Sequence, residues 1–274
     1  MKTIKTILLL AMILIMLITS SCGYSAKGRT ILINAADEKA SPELMQKSAS
    51  VLSARLKTYG LGDFTMKVSE KKARIEITVP DSCDVDLIDS LLTQKGQLTV
   101  YEIYDRKLAD SLFKIIDVSP LLSSGVNASD NVSRQEISAI NVILKGQQDN
   151  TDVLFRWGLT GKRSQIRLFA LKKPGNPILT ESDFSAVSYS DNGIISFTLK
   201  KEAAERWKDA TSRNIGKGIA ISADDIVIAD PVVRQIIDSG NFEVSGKFTY
   251  KEGRYITALI ANGALPLKFI VAGQ

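Results

Sequence analysis

Arg74-Ile75-Glu76-Ile77-Thr78-Val79-Pro80 alternates apolar and polar side chains at a period of two and stops at a proline, which is the pattern of a strand buried on one face. Upstream, Phe64, Met66 and Val68 repeat the alternation, and the charged run Glu70-Lys71-Lys72 separates the two strands as the turn of a hairpin. Earlier still, Ser41 and Pro42 open a helix whose apolar positions Leu44, Met45, Val51, Leu52, Leu56 and Tyr59 run to Gly60. Before that helix, Ile31-Leu32-Ile33 reads as a first buried strand, closed by Asp37-Glu38-Lys39. Downstream, Asp84 begins a helix containing Val85, Leu87, Ile88, Leu91 and Leu92. Gly96 stops it, and Leu98, Val100 and the stretch 102–104 read as another strand. The order β-α-β-β-α-β over 29–104 is that of a ferredoxin-like, split βαβ unit.

Residues 105–177 break this regularity. A helix near 108–116 is followed by a loop rich in Ser, Asn and Asp. Ser133 with Glu136 three residues later forms a capping box ahead of Ile137, Ile140, Ile143 and Leu144. Strands at 153–157 and 166–171 precede the turn Pro174-Gly175-Asn176-Pro177. This stretch reads as an inserted α/β subdomain. Over 178–271 the opening grammar nearly returns, with strands near 186–189, 194–199, 219–222, 226–229 and 242–244 and helices at 201–214 and 251–261. The expected class is α+β, two ferredoxin-like halves flanking an insert.

The first 22 residues carry a different message. Lys2 and Lys5 precede an apolar run from Ile7 to Ile18, then Thr19-Ser20-Ser21-Cys22. Twelve helical residues span roughly 18 Å against a hydrocarbon core of about 30 Å, so the run suits a signal sequence better than a permanent span. The pattern resembles a bacterial lipobox, with Thr19 where Leu is commonest, and predicts residues 1–21 as signal peptide, a lipid on Cys22 and a tether over 22–28. Two alternatives stand beside it: cleavage leaving an unmodified Cys22, and an uncleaved anchor. Several acyl chains hold a protein at a bilayer where one binds only marginally.

The chain has 274 residues, a formal charge of +5, two cysteines and no histidine. Lys2 and Lys5 account for two of those charges, so the mature part carries +3, too little to point to nucleic acid. Lysine pairs such as Lys71-Lys72 and Lys200-Lys201 read as solvated surface. Without histidine, histidine triads, Cys-His pairs and the HExxH zinc motif are excluded. Lipidated Cys22 would leave Cys83 without an intramolecular partner; otherwise a bridge between them is open in an oxidising compartment. Asp224-Asp225 and Asp84 with Asp86 read as solvated or capping carboxylates. Ser69 to Lys72 has Ser-x-x-Lys spacing but falls in a hairpin turn, and Gly216 and Gly218 read as turn glycines. No cofactor is expected.

The tail Asn262-Gly263-Ala264-Leu265-Pro266-Leu267-Lys268-Phe269 closely resembles the end of the first large periplasmic domain of the SecD protein-export family. Ile178-Leu179-Thr180-Glu181-Ser182-Asp183-Phe184, Ile195-Ser196-Phe197-Thr198-Leu199 and Asn214-Ile215-Gly216-Lys217 follow that family's order of blocks. So do Ala229-Asp230-Pro231-Val232-Val233, Ser239-Gly240 and Val244-Ser245-Gly246-Lys247-Phe248, and more loosely 52–60 and 74–80, where Asp81 replaces a glycine. The resemblance implies a periplasmic base of two ferredoxin-like halves with 105–177 as a reduced form of the family's mobile head. In that family the tail leads into membrane helices, whereas this sequence ends at Gln274, so proton-driven transport is not expected to carry over.

The insert is more apolar than a surface excursion needs, with Phe113, Ile115, Ile116, Leu121 and Leu122. Together with Trp157, residues Phe113, Ile116, Leu121 and Leu122 are the candidates for contact with an extended polypeptide. Trp207 reads as core. The expected role is a non-catalytic, lipid-anchored, SecD-like protein of the cell envelope, facing the periplasm, that binds unfolded exported chain or a Sec translocon component. The alternative is a structural or assembly lipoprotein unrelated to secretion; a hydrolase is disfavoured by composition.

Overall fold

The computed structural model describes residues 28–115, 134–147, 152–159, 166–173, 177–245 and 248–272. The first sheet contains β1 (Gly28–Ala35), β2 (Thr65–Ser69), β3 (Arg74–Pro80) and a C-terminal strand, β13 (Phe269–Val271), in the order β13-β1-β3-β2 with every neighbour antiparallel. Between β1 and β2 runs α1 (Pro42–Tyr59); after β3 comes α2 (Val85–Thr93). The Ser41 side chain accepts the Leu44 N–H at 3.3 Å and Gly60 closes α1 at φ 97°. Asp84 caps α2 by accepting the Leu87 N–H. Ile33, Ile75 and Ile77 meet Met45, Leu52 and Leu56 in the main core, all without exposure.

The sheet therefore has the split βαβ layout, but its fourth strand is not the one the chain order suggests. β4 (Leu98–Glu102) lies in a second sheet, and β13 takes the place beside β1. Leu98, Thr99 and Val100 are all buried, so both faces of β4 are covered and its pattern does not say which sheet it joins. β13 is three residues long and pairs with a strand more than 230 positions away, which no local signal reveals.

The second sheet adds β5 (Val153–Leu159), β6 (Ile166–Lys172), β7 (Leu179–Thr180), β10 (Ile219–Ala223) and β11 (Ile226–Ala229), in the order β6-β5-β11-β10-β4-β7. Just beyond β4, Ile103 bridges Leu171 and the Tyr104 N–H donates to the Ala170 carbonyl at 3.0 Å. β6 thus returns to the end of β4, and five strands curl into a near-closed barrel. Phe169, Leu171, Ala220 and Val227 fill it, with Tyr101, Ile103 and Leu154 packed against them. Gly158 lets β5 and β11 approach there: a Cβ would sit 2.5 Å from that of Val227 and 2.8 Å from the Phe169 ring. The outward residues of β4 and β10, including Val100 and Ile221, join the main core. Those of β5 and β6 join a second core with Phe113 of α3 (Arg106–Ile115) and Ile140 and Leu144 of α4 (Arg134–Gln147).

The third sheet is β12 (Asn241–Ser245), β9 (Ile194–Leu199) and β8 (Phe184–Ser190). It packs with α5 (Lys201–Arg213), whose Trp207 is 3% exposed with its ring 4.5 Å from that of Phe242, and with α6 (Tyr250–Ile260). Trp207 is core, as expected. The class is α+β. Strand pairing crosses the boundaries expected at 104/105 and 177/178, because the barrel draws strands from all three segments. The second expected half does not keep its strands in one sheet: β8, β9 and β12 pair together, while β10 and β11 belong to the barrel. Among the described residues no helix is long and apolar enough to cross a membrane.

Candidate functional site: a groove between the barrel and helix α4

α4 lies over the outward face of β5 and β6 and leaves a groove of about 660 Å³ along one side, within the range of about 300–1,000 Å³ typical of ligand pockets. Its apolar wall comes from Ile137 and Leu144 of α4, Leu154 and Trp157 of β5, Ile166 of β6 and Ile226 of β11. Asn141, Lys145, Arg156 and Asp225 supply the polar positions. The Trp157 indole N–H donates to Asn141 Oδ1 at 2.8 Å, tying β5 to α4 and orienting the ring.

Arg156 sits where the groove meets the barrel. Its Nη1 donates to Thr99 Oγ1 at 3.1 Å and its guanidinium carbon lies 5.5 Å from the centre of the Tyr101 ring. Nη2 is 3.3 Å from Asp225 Oδ1, while Nε is buried with no hydrogen-bond partner. The Arg156 side chain is 13% exposed and that of Asp225 95%.

The position of Asp225 is set by its neighbour. Asp224 and Asp225 form the two-residue loop between β10 and β11, with Asp224 at φ 53°, a left-handed conformation that Asp tolerates. The Asp224 carboxylate accepts the N–H groups of Gly96 at 3.1 Å and Gln97 at 2.8 Å, and its own N–H donates to the Gln97 carbonyl. Asp224 thus caps no helix but ties down the loop ahead of β4, whereas Asp225 is solvated, as expected, and pairs with Arg156.

Of the residues singled out in the sequence, Trp157 lines the groove. Phe113 does not: it is 2% exposed, with its ring 5.7 Å from that of Phe155 in the core beneath. Ile116, Leu121, Leu122 and Cys22 lie outside the described residues. Sequence reasoning passed over Arg156, Asn141 and Lys145; the one available signal was an arginine interrupting the apolar run of β5. Cys83 is half-buried, and burial pushes its thiol pKa up, away from nucleophilic use. A second cavity, about 480 Å³ between α2 and β13, is walled by Asp86 and Asp89 and is the more polar of the two. No group of three or more His, Cys, Asp and Glu suited to a metal occurs among the described residues.

A family model described as the SecDF P1 head subdomain matches residues 160–267. The chain is SecD-like. The match begins just before β6 and runs past α6, so it extends well beyond the insert expected at 105–177. The SecDF of Thermus thermophilus is 24% identical to the SecD-like chain over 255 residues, 91% of this chain and 30% of the relative. The SecD of Petrotoga mobilis is 22% identical over 234 residues, 83% of this chain and 46% of the relative. The SecD-like chain thus spans less than half the length of these relatives. A solved structure described as a membrane component SecDF that enhances protein export is 21% identical with a TM-score of 0.54. The likeness covers 90% of this chain and 99% of that one and establishes the shared fold.

Proposed function

We propose that the protein is a non-catalytic accessory of protein export, held at an envelope membrane by lipid on Cys22 and facing the periplasm, and that the α4–β5 groove binds unfolded exported polypeptide. The observation that carries this reading is an apolar groove with an oriented tryptophan at its wall, on a fold shared with SecDF. The curated relatives are named protein translocase subunits, which supports an exported chain as the occupant. A groove of this size takes a few side chains at a time, suiting weak, repeated contact with a moving segment. Phe113 contributes by supporting the groove floor, and Ile116, Leu121 and Leu122 remain proposed contacts for the same polypeptide.

A photo-crosslinking residue at position 226, on the exposed Ile226, tests this in cells. Exported precursors are expected among the adducts, with a clear decrease when Trp157→Ala is added. Adducts drawn only from an unrelated envelope complex would favour an assembly role and overturn the proposal.

A further inference from the structure

We infer that the groove selects segments in which a carboxylate stands beside an apolar side chain, and that Asp225 is the internal competitor for the carboxylate's position. This rests on the polypeptide-binding reading and names the segments it favours. The Arg156 charge is fixed: Thr99 and Tyr101 hold the guanidinium from the barrel side, and the side chain is 13% exposed. Its anion is not held in the same way, since Asp225 is 95% exposed. The N–O distance of 3.3 Å is long beside the roughly 2.7–2.9 Å of a strong charge-assisted bond. A half-buried cation facing a solvated carboxylate can exchange that carboxylate for another without ever standing unpaired, so the penalty for an uncompensated, largely desolvated charge does not arise. Lys145, exposed on α4, adds a second cation to the groove lining. Leu154, Ile166 and Ile226 receive the adjoining apolar side chain. A basic segment meets Arg156 and Lys145 and is disfavoured.

The experiment uses the full chain in detergent and two fluorescent peptides that are identical except for one central Glu in place of Gln between apolar residues. The wild type is expected to prefer the Glu peptide, with the preference shrinking as salt is raised. Asp225→Asn removes the competitor and is expected to tighten the Glu peptide by roughly two- to five-fold, as loss of an exposed ion pair allows, and so to widen its preference over the Gln peptide. Asp225 is solvated, so this variant does not threaten folding. Equal binding of both peptides, unaffected by Asp225→Asn but abolished by Trp157→Ala, would overturn the inference and leave polypeptide binding intact. Binding of neither peptide would overturn the reading beneath it. Dodecanoate binding in place of both peptides would reassign the site to a lipid carboxylate and overturn both.

Discussion

Replacing Arg55 with Ala is expected to destabilise the protein by about 3 kcal/mol, counting two strong hydrogen bonds to a charged group at about 1.5 kcal/mol each. Arg55 projects from α1 and is fully buried. Its Nη1 donates to the carbonyls of Gln94 at 2.6 Å and Leu91 at 3.1 Å, and its Nη2 to those of Lys95 at 2.5 Å and Gly263 at 3.3 Å. The acceptors belong to the C-terminal end of α2 and to the chain just after α6, where carbonyls have no partner within their own helix. One side chain thus joins three helices. Burial pulls the guanidinium pKa down to about 10, opposed by Asp224 and Tyr255, so it stays charged at neutral pH. The cost of burying it offsets part of the bonding, which is why only the two short bonds are counted; the cavity left by Ala acts in the opposite direction. At about 2–4 °C per kcal/mol for a domain of this size, the midpoint of thermal unfolding should fall by roughly 6–12 °C. Gly96→Ala should mimic the loss, because at φ 74° its Cβ would lie 2.2 Å from Arg55 Nη2. Urea unfolding followed by circular dichroism measures both variants. A loss for Arg55→Ala below about 1 kcal/mol with an unchanged denaturant slope would refute the reasoning.

Two further outcomes are expected. Glu102 is half-buried, and this desolvation alone would raise its pKa, but bonds from Lys172 at 2.8 Å and Arg213 at 2.6 Å outweigh it and hold the carboxyl below the usual range. A carboxyl depressed in the folded state stabilises above its unfolded value and loses that contribution as pH falls through the folded one. Wild-type stability should therefore fall more steeply than that of Glu102→Gln below about pH 4.5, and parallel acid limbs in the two urea series would contradict this. Cys22→Ala should move the protein from the membrane to the soluble fraction of cells; retention in the membrane would mean that the leader serves as the anchor.

Much of the secondary structure was legible because its signals are local. Alternation at 74–80, the Ser41 cap, the Gly60 stop and the Asp84 cap each depend on residues within a few positions, and each element appears where those signals place it. The candidate site was far less so. Trp157 was picked out, yet Phe113 was chosen by the same apolarity and lies in the core, since composition does not distinguish a groove wall from the packing beneath it. Arg156 and Asp225 are 69 positions apart and meet only because β5 and β11 pair in parallel at Trp157 and Ile226.

By itself, the sequence determined the α+β class, the order of most elements, the absence of histidine chemistry and the likeness to SecD. The tertiary structure alone decided that the last three-residue strand completes the first sheet, that β4 belongs to the barrel, and that a half-buried arginine meets a solvated carboxylate beside an apolar groove. The reason is physical. Periodicity and caps report how a segment sits against its own neighbours in the chain, whereas strand partners and grooves depend on which distant surfaces bury one another, and many sequences with the same local pattern are compatible with more than one such pairing.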